Sequence, residues 1–144
     1  MTATLTAPVV VPADATTVIE SVHPVRVLLA TEGLSLFEAV VRPGQEPPMH
    51  VHEREDEGFH VLEGLLAVHV DGATHVLGPG GTSLLPRGVP HTFAVRSDEV
   101  RMIVTCTPGG FEGMFSELPT PLDPATAGPV FAAYGIEVTG PNPG

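Results

Sequence analysis

The chain has 144 residues, enough for one ordinary domain that buries its own core without staples. Its net charge is −11, from 17 acidic and 6 basic side chains. That argues against nucleic acid, whose affinity rests on Lys and Arg neutralising phosphates, and equally against an anionic membrane surface. A hydrophobic fraction of 42% is ordinary for a globular chain, whereas 16 glycines and 16 prolines without a repeat imply many turns between short strands.

Residues 1–24 read as an N-terminal arm rich in Thr, Ala and Val. The first basic residue is Arg26, so the basic region of a signal peptide is missing. No apolar run approaches the ~18 residues of a membrane helix. Strands are expected at Val25–Thr31 and Leu34–Arg42, joined by a turn at Glu32-Gly33. Pro43-Gly44 breaks the second, and Pro47-Pro48 keeps the backbone extended before His50. Six further strands follow: Glu57–Leu62, Leu66–Val70, Thr74–Leu77, Thr82–Leu85, His91–Val95 and Val100–Cys106. Asp71-Gly72 marks a tight hairpin. Short strands at such close spacing predict an all-β antiparallel sandwich or barrel over residues 25–107.

Residues 108–144 change character. Phe111, Met114, Phe115 and Leu118 recur at i, i+3, i+4 and i+7, which predicts a short helix. Pro119–Pro129 reads as a connector, Val130–Tyr134 as a helical turn capped by Gly135, and the tail TGPNPG as loose. Cys106 is the only cysteine, so no intrachain disulfide forms, which fits a reducing cytoplasm. After the apolar run Val100–Thr105 it reads as a small buried hydrophobe.

The chemistry concentrates in Gly44–Gly64. In an extended segment His50 and His52 share one face, roughly 7 Å apart, and two imidazoles so placed can converge on one metal ion. A carboxylate from the acidic run Glu53, Glu55, Asp56 and Glu57 can close the set, and any of them can equally be part of a solvated turn. His23, His60, His69 and His75 carry no such signal. His60 is out of phase with Glu57, and His69 and His75 lie on the hairpin, where exposure is expected.

Gly44, His50, His52, Glu57 and Gly64 stand as G-x5-H-x-H-x4-E-x6-G, and Gly80, Pro86, Gly88 and His91 as G-x5-P-x-G-x2-H. The pair resembles the two motifs of the cupin superfamily, over about Leu34 to Thr107. Two positions depart from the pattern: Val95, where the second motif usually has Asn, and Gly81, where an acidic residue is common. The resemblance implies a double-stranded β-helix, or jelly-roll barrel, with a short helical C-terminal appendage. It also implies that His50, His52, Glu57 and His91 bind one divalent transition metal (Fe, Mn, Ni, Co, Cu or Zn), and that the chain forms a homodimer. Three neutral nitrogens and one carboxylate suit these ions and leave residual positive charge for Lewis acidity.

Strand phase alone offers Phe59, Val61, Phe93 and Val95 as a substrate-pocket wall, and each can equally be plain core. GGFEGMFSELPTP and AAYGIEVTGP are similar to segments of single-domain cupins related to quercetin dioxygenases. That similarity implies a dioxygenase using O2 on an enol- or phenol-bearing, largely apolar small molecule, flavonol- or polyketide-like. Glu57 would then be both ligand and general base. Two alternatives keep the same site: an O2-independent cyclase, isomerase or dehydratase, and a non-catalytic metal-bearing binding module.

Overall fold

A computed structural model describes residues 7–144; the first six residues of the arm lie outside the described residues. In chain order the strands are β1 (Thr17–Glu20), β2 (Pro24–Ala30), β3 (Ser35–Val41), β4 (Met49–His52), β5 (Asp56–Glu63) and β6 (Leu66–Val70). They continue as β7 (Ala73–Leu77), β8 (Thr82–Leu85), β9 (His91–Val95), β10 (Val100–Thr107) and β11 (Ile136–Gly140). One sheet has the order β1-β2-β3-β10-β5-β8 and the other β11-β4-β9-β6-β7, with antiparallel pairing throughout. This is the expected all-β jelly roll with a short C-terminal helix.

Alternation in sequence becomes inside and outside in space. Ser35, Phe37, Ala39 and Val41 of β3 are buried, as are Val100, Met102, Val104 and Cys106 of β10. The in-register pairs Phe37↔Val104 and Val104↔Phe59 stack these rows across β3, β10 and β5. Leu66 and Val68 face them from the other sheet. Fully burying side chains of this size is worth roughly 1.5–3 kcal/mol each. Among the described residues no helix is long and apolar enough to cross a membrane.

The structure departs from expectation mainly at the two ends. The arm contains β1, whose β-branched Thr17, Val18 and Ile19 pair with β2. Phe111–Ser116 is a 3-10 helix, shorter than expected, with Phe111, Met114 and Phe115 buried. An α-helix, α1 (Pro124–Ala133), occupies most of the expected connector. The Asp123 carboxylate accepts from the Ala125 amide, and Pro124 fits the first turn, where its missing N–H costs nothing. Gly128 and Pro129 look like breakers in sequence, yet both lie within α1.

The tail is not loose. Gly135, at φ +71°, ends the helix and turns the chain into β11, which pairs with β4 through Ile136↔His52 and Val138↔His50. Beyond it the Asn142 amide donates to the carbonyls of Pro47 and Phe93, and Arg96 donates to the carbonyl of Gly144. His69, expected to be exposed, is buried beside Thr74, whereas His60 and His75 are exposed.

Gly64 closes the β5–β6 turn at φ +91°, and a Cβ there would lie 2.2 Å from the Glu99 carbonyl oxygen. Gly64→Ala is therefore expected to cost about 2–4 kcal/mol, read as a lower urea midpoint at unchanged slope. Gly72→Ala shares the positive φ but meets nothing within 4 Å. It should cost about 1–2 kcal/mol, the conformational penalty alone.

Candidate metal centre

Both sheets contribute to one cluster. β4 carries His50 and His52, and its neighbour β9 carries His91, directly opposite His50. Glu57 comes from β5 in the other sheet and points between them. Ligand atoms of the four residues lie within 4.8 Å of one another, and all four side chains are buried. The His52 and His91 rings stack in parallel at 5.2 Å, while His50 meets them edge-on at 5.1 and 4.7 Å.

Each imidazole is oriented from behind. His50 Nδ1 lies 2.7 Å from the Pro48 carbonyl oxygen, and His91 Nδ1 lies 3.3 Å from that of Val89. His52 Nδ1 lies 2.8 Å from Glu55 Oε1. All three partners are acceptors, so Nδ1 carries the hydrogen and Nε2 presents its lone pair to the cluster. His91 Nε2 sits 3.1 Å from Glu57 Oε1, and His52 Nε2 sits 3.6 Å from it. His52 Nε2 is buried without a hydrogen-bond partner. A buried nitrogen lone pair normally has one, and a metal ion is the partner that this donor set suits.

The charges of the cluster are coupled. Burial alone would raise the Glu57 pKa, but His52, His91 and His50 outweigh it and hold the carboxyl below its usual range. Burial also opposes charge on His52, yet Glu57 and Glu55 prevail and raise its pKa. His50 is lowered to about 4, chiefly by burial. A neutral His50 is ready to coordinate. Cys106 lies beside the site, with Sγ 4.0 Å from Glu57 Oε2. Burial, reinforced by nearby carboxylates, pushes its thiol far up, so it stays protonated.

The cluster lies at the wall of a cavity. His50, His52 and Glu57 line it together with Phe37, Phe59, Phe93, Met102, Phe111 and Phe115. Of the expected wall, Phe59 and Phe93 take part. Val61 and Val95 do not; they share the right strand phase but sit further along β5 and β9, in closed core. Val95 is held instead through its backbone, which donates to Glu46 Oε2.

Several contributors escaped the sequence reading. Glu55 is 4% exposed rather than part of a solvated turn. Ile136 and Val138 line the cavity from β11, and Phe111 packs edge-on against His52 at 4.8 Å. The alternation in Ile136–Gly140 was the available signal for β11.

A family profile described as "Cupin domain" matches residues 37–108. The chain is 32% identical over 93 residues to quercetin 2,3-dioxygenase of Bacillus subtilis (strain 168), covering 62% of this chain and 28% of that protein. It is 34% identical over 71 residues to polyketide synthase CurC of Streptomyces cyaneus, covering 49% and 46%. The chain thus spans less than half the length of either curated relative. Among solved structures, an RmlC-like cupin from Shewanella frigidimarina NCIMB 400 superposes with a TM-score of 0.60 at 25% identity, covering 67% of this chain and 87% of that one.

Glu55→Gln is expected to lower divalent-metal affinity about 10–100-fold, because the amide orients His52 but withdraws the charge that makes it basic. Glu53→Gln, at an exposed neighbour, should leave it unchanged. Competition against a chromophoric chelator measures both.

Proposed function

The chain belongs to the cupin superfamily, and from that premise we propose that it is a metal-dependent dioxygenase acting on an enol- or phenol-bearing, largely apolar small molecule. His50, His52, Glu57 and His91 would hold the ion. The observation that carries this reading is the cavity, where potential ligand groups meet a wall of aromatic and aliphatic side chains. None of the six arginines lines it, and the chain has no lysine. A strongly anionic substrate would find no side-chain countercharge there, whereas flat aromatic rings fit against Phe37, Phe59, Phe93, Phe111 and Phe115. The similarity to a quercetin 2,3-dioxygenase points the same way.

A divalent transition ion, when bound, supplies Lewis acidity toward a deprotonated substrate oxygen and, if redox-active, a path for electrons to O2. The residues do the rest. The three imidazoles, locked by their Nδ1 partners, hold a fixed geometry. The Glu57 carboxylate, kept ionised by its histidine neighbours, accepts the proton of the substrate hydroxyl. The aromatic wall positions the substrate rings and excludes water.

A second reading rests on the similarity to polyketide synthase CurC: an O2-independent cyclisation, isomerisation or dehydration on a polyketide-like substrate. There Glu57 would move a proton next to a polarised carbonyl. O2 decides between the two.

Metal-loaded protein is expected to consume O2 with flavonols or related enols and to place both atoms of 18O2 in the product. Product formation under strict anaerobiosis would favour the second reading, and no turnover of any enol or phenol would remove both. Glu57→Gln should cut turnover about 100-fold or more while metal content falls far less. Equal loss of both would leave Glu57 a ligand without a role as base.

A further inference from the structure

His23 is the one cavity-lining histidine outside the metal cluster. It sits between β1 and β2, is only 7% exposed, and lines the same cavity as His50 and His52. Its Nδ1 lies 3.3 Å from the Pro24 carbonyl oxygen. Nδ1 therefore carries the hydrogen, and Nε2 keeps its lone pair. Burial lowers its pKa and outweighs the Pro24 contact, which favours the neutral ring.

Position makes this histidine informative. Its ring lies 5.4 Å from Phe115, which lies 5.6 Å from Phe111, which in turn lies 4.8 Å from His52. A path of aromatic contacts thus joins two polar ends. The acceptor oxygens of the other polar lining side chains outside the cluster are already used. Glu46 accepts from the amides of Gly44 and Val95, and Gln45 Oε1 accepts from the amide of Arg42.

We infer that His23 forms a second polar subsite, which accepts a hydrogen bond from a hydroxyl on the distal ring of an elongated aromatic ligand held at its other end by the histidine cluster. The substrate class then narrows from an apolar enol to one with a phenolic hydroxyl at each end. The inference rests on the proposed reading for its choice of substrate, and its test separates the two.

The test compares 3-hydroxyflavone with 3,4′-dihydroxyflavone, which differ only in the distal hydroxyl. Binding is followed by ligand fluorescence on protein loaded with redox-inert zinc; the chain has no tryptophan to interfere. Wild-type protein should prefer the dihydroxy ligand about fivefold to tenfold, as expected for one hydrogen bond in an apolar site. His23→Leu should bring the ratio close to one. His23→Gln, which keeps an acceptor near the Nε2 position, should restore part of it.

An unchanged preference in His23→Leu overturns the subsite, even if the protein consumes O2 with either flavonol when loaded with a redox-active metal. A preference lost in His23→Leu and regained in His23→Gln, without O2 uptake, supports the subsite while the dioxygenase reading falls. Failure of both flavonols to bind overturns the subsite, while the dioxygenase reading is then decided by O2 uptake with other enols and phenols.

Discussion

Glu57 carries a carboxylate, only 4% exposed, from one sheet into three imidazoles of the other. A buried anion is tolerated when opposite charge and hydrogen bonds surround it, so the rest of the barrel is arranged to supply them. β4 and β9 must lie side by side for His50 and His91 to face each other, and β5 must cross over them in the opposite sheet. Removing any one of the histidines would leave Glu57 less compensated.

The chain's ends complete that arrangement. β11 pairs with β4 and covers the outer edge of the strand that holds two of the histidines. The Asn142 amide then ties the tail to Pro47, just ahead of β4, and to Phe93 on β9. Arg54, in the loop after His52, donates to the Ala133 carbonyl at the end of α1. Phe111 and Phe115 from the 3-10 helix roof the cavity beside the cluster. The C-terminal segment thus frames the site, although it contributes none of the four candidate ligands.

Much of this was legible in the sequence because motif and fold answer to the same physics. Alternation located eight of the nine strands from Val25 to Cys106 closely but not the short β4, read only as an extended segment, and the resemblance to the two-block motif singled out Glu57 from its acidic neighbours. Burial beyond strand phase was not legible. Glu55 looks like any residue of a charged turn until the fold closes over it and His52 takes its carboxylate. Val61 and Val95 have the same phase as Phe59 and Phe93, yet their depth along the barrel puts them in closed core. α1 was hidden because Gly128 and Pro129 read as breakers, and β11 because glycine and proline surround it. His23 showed nothing in sequence, since its partner Phe115 lies 92 positions downstream in a different element.

The proposed chemistry requires that His50, His52, Glu57 and His91 form one metal site. The most direct measurement is titration of metal-free protein with Co(II), following the visible absorption that reports coordination by nitrogen and oxygen donors. A single tight equivalent per chain is expected, lost in His91→Ala while the circular dichroism of the barrel is retained. A folded wild-type chain that takes up no equivalent, or a His91→Ala chain that binds as tightly, would contradict it.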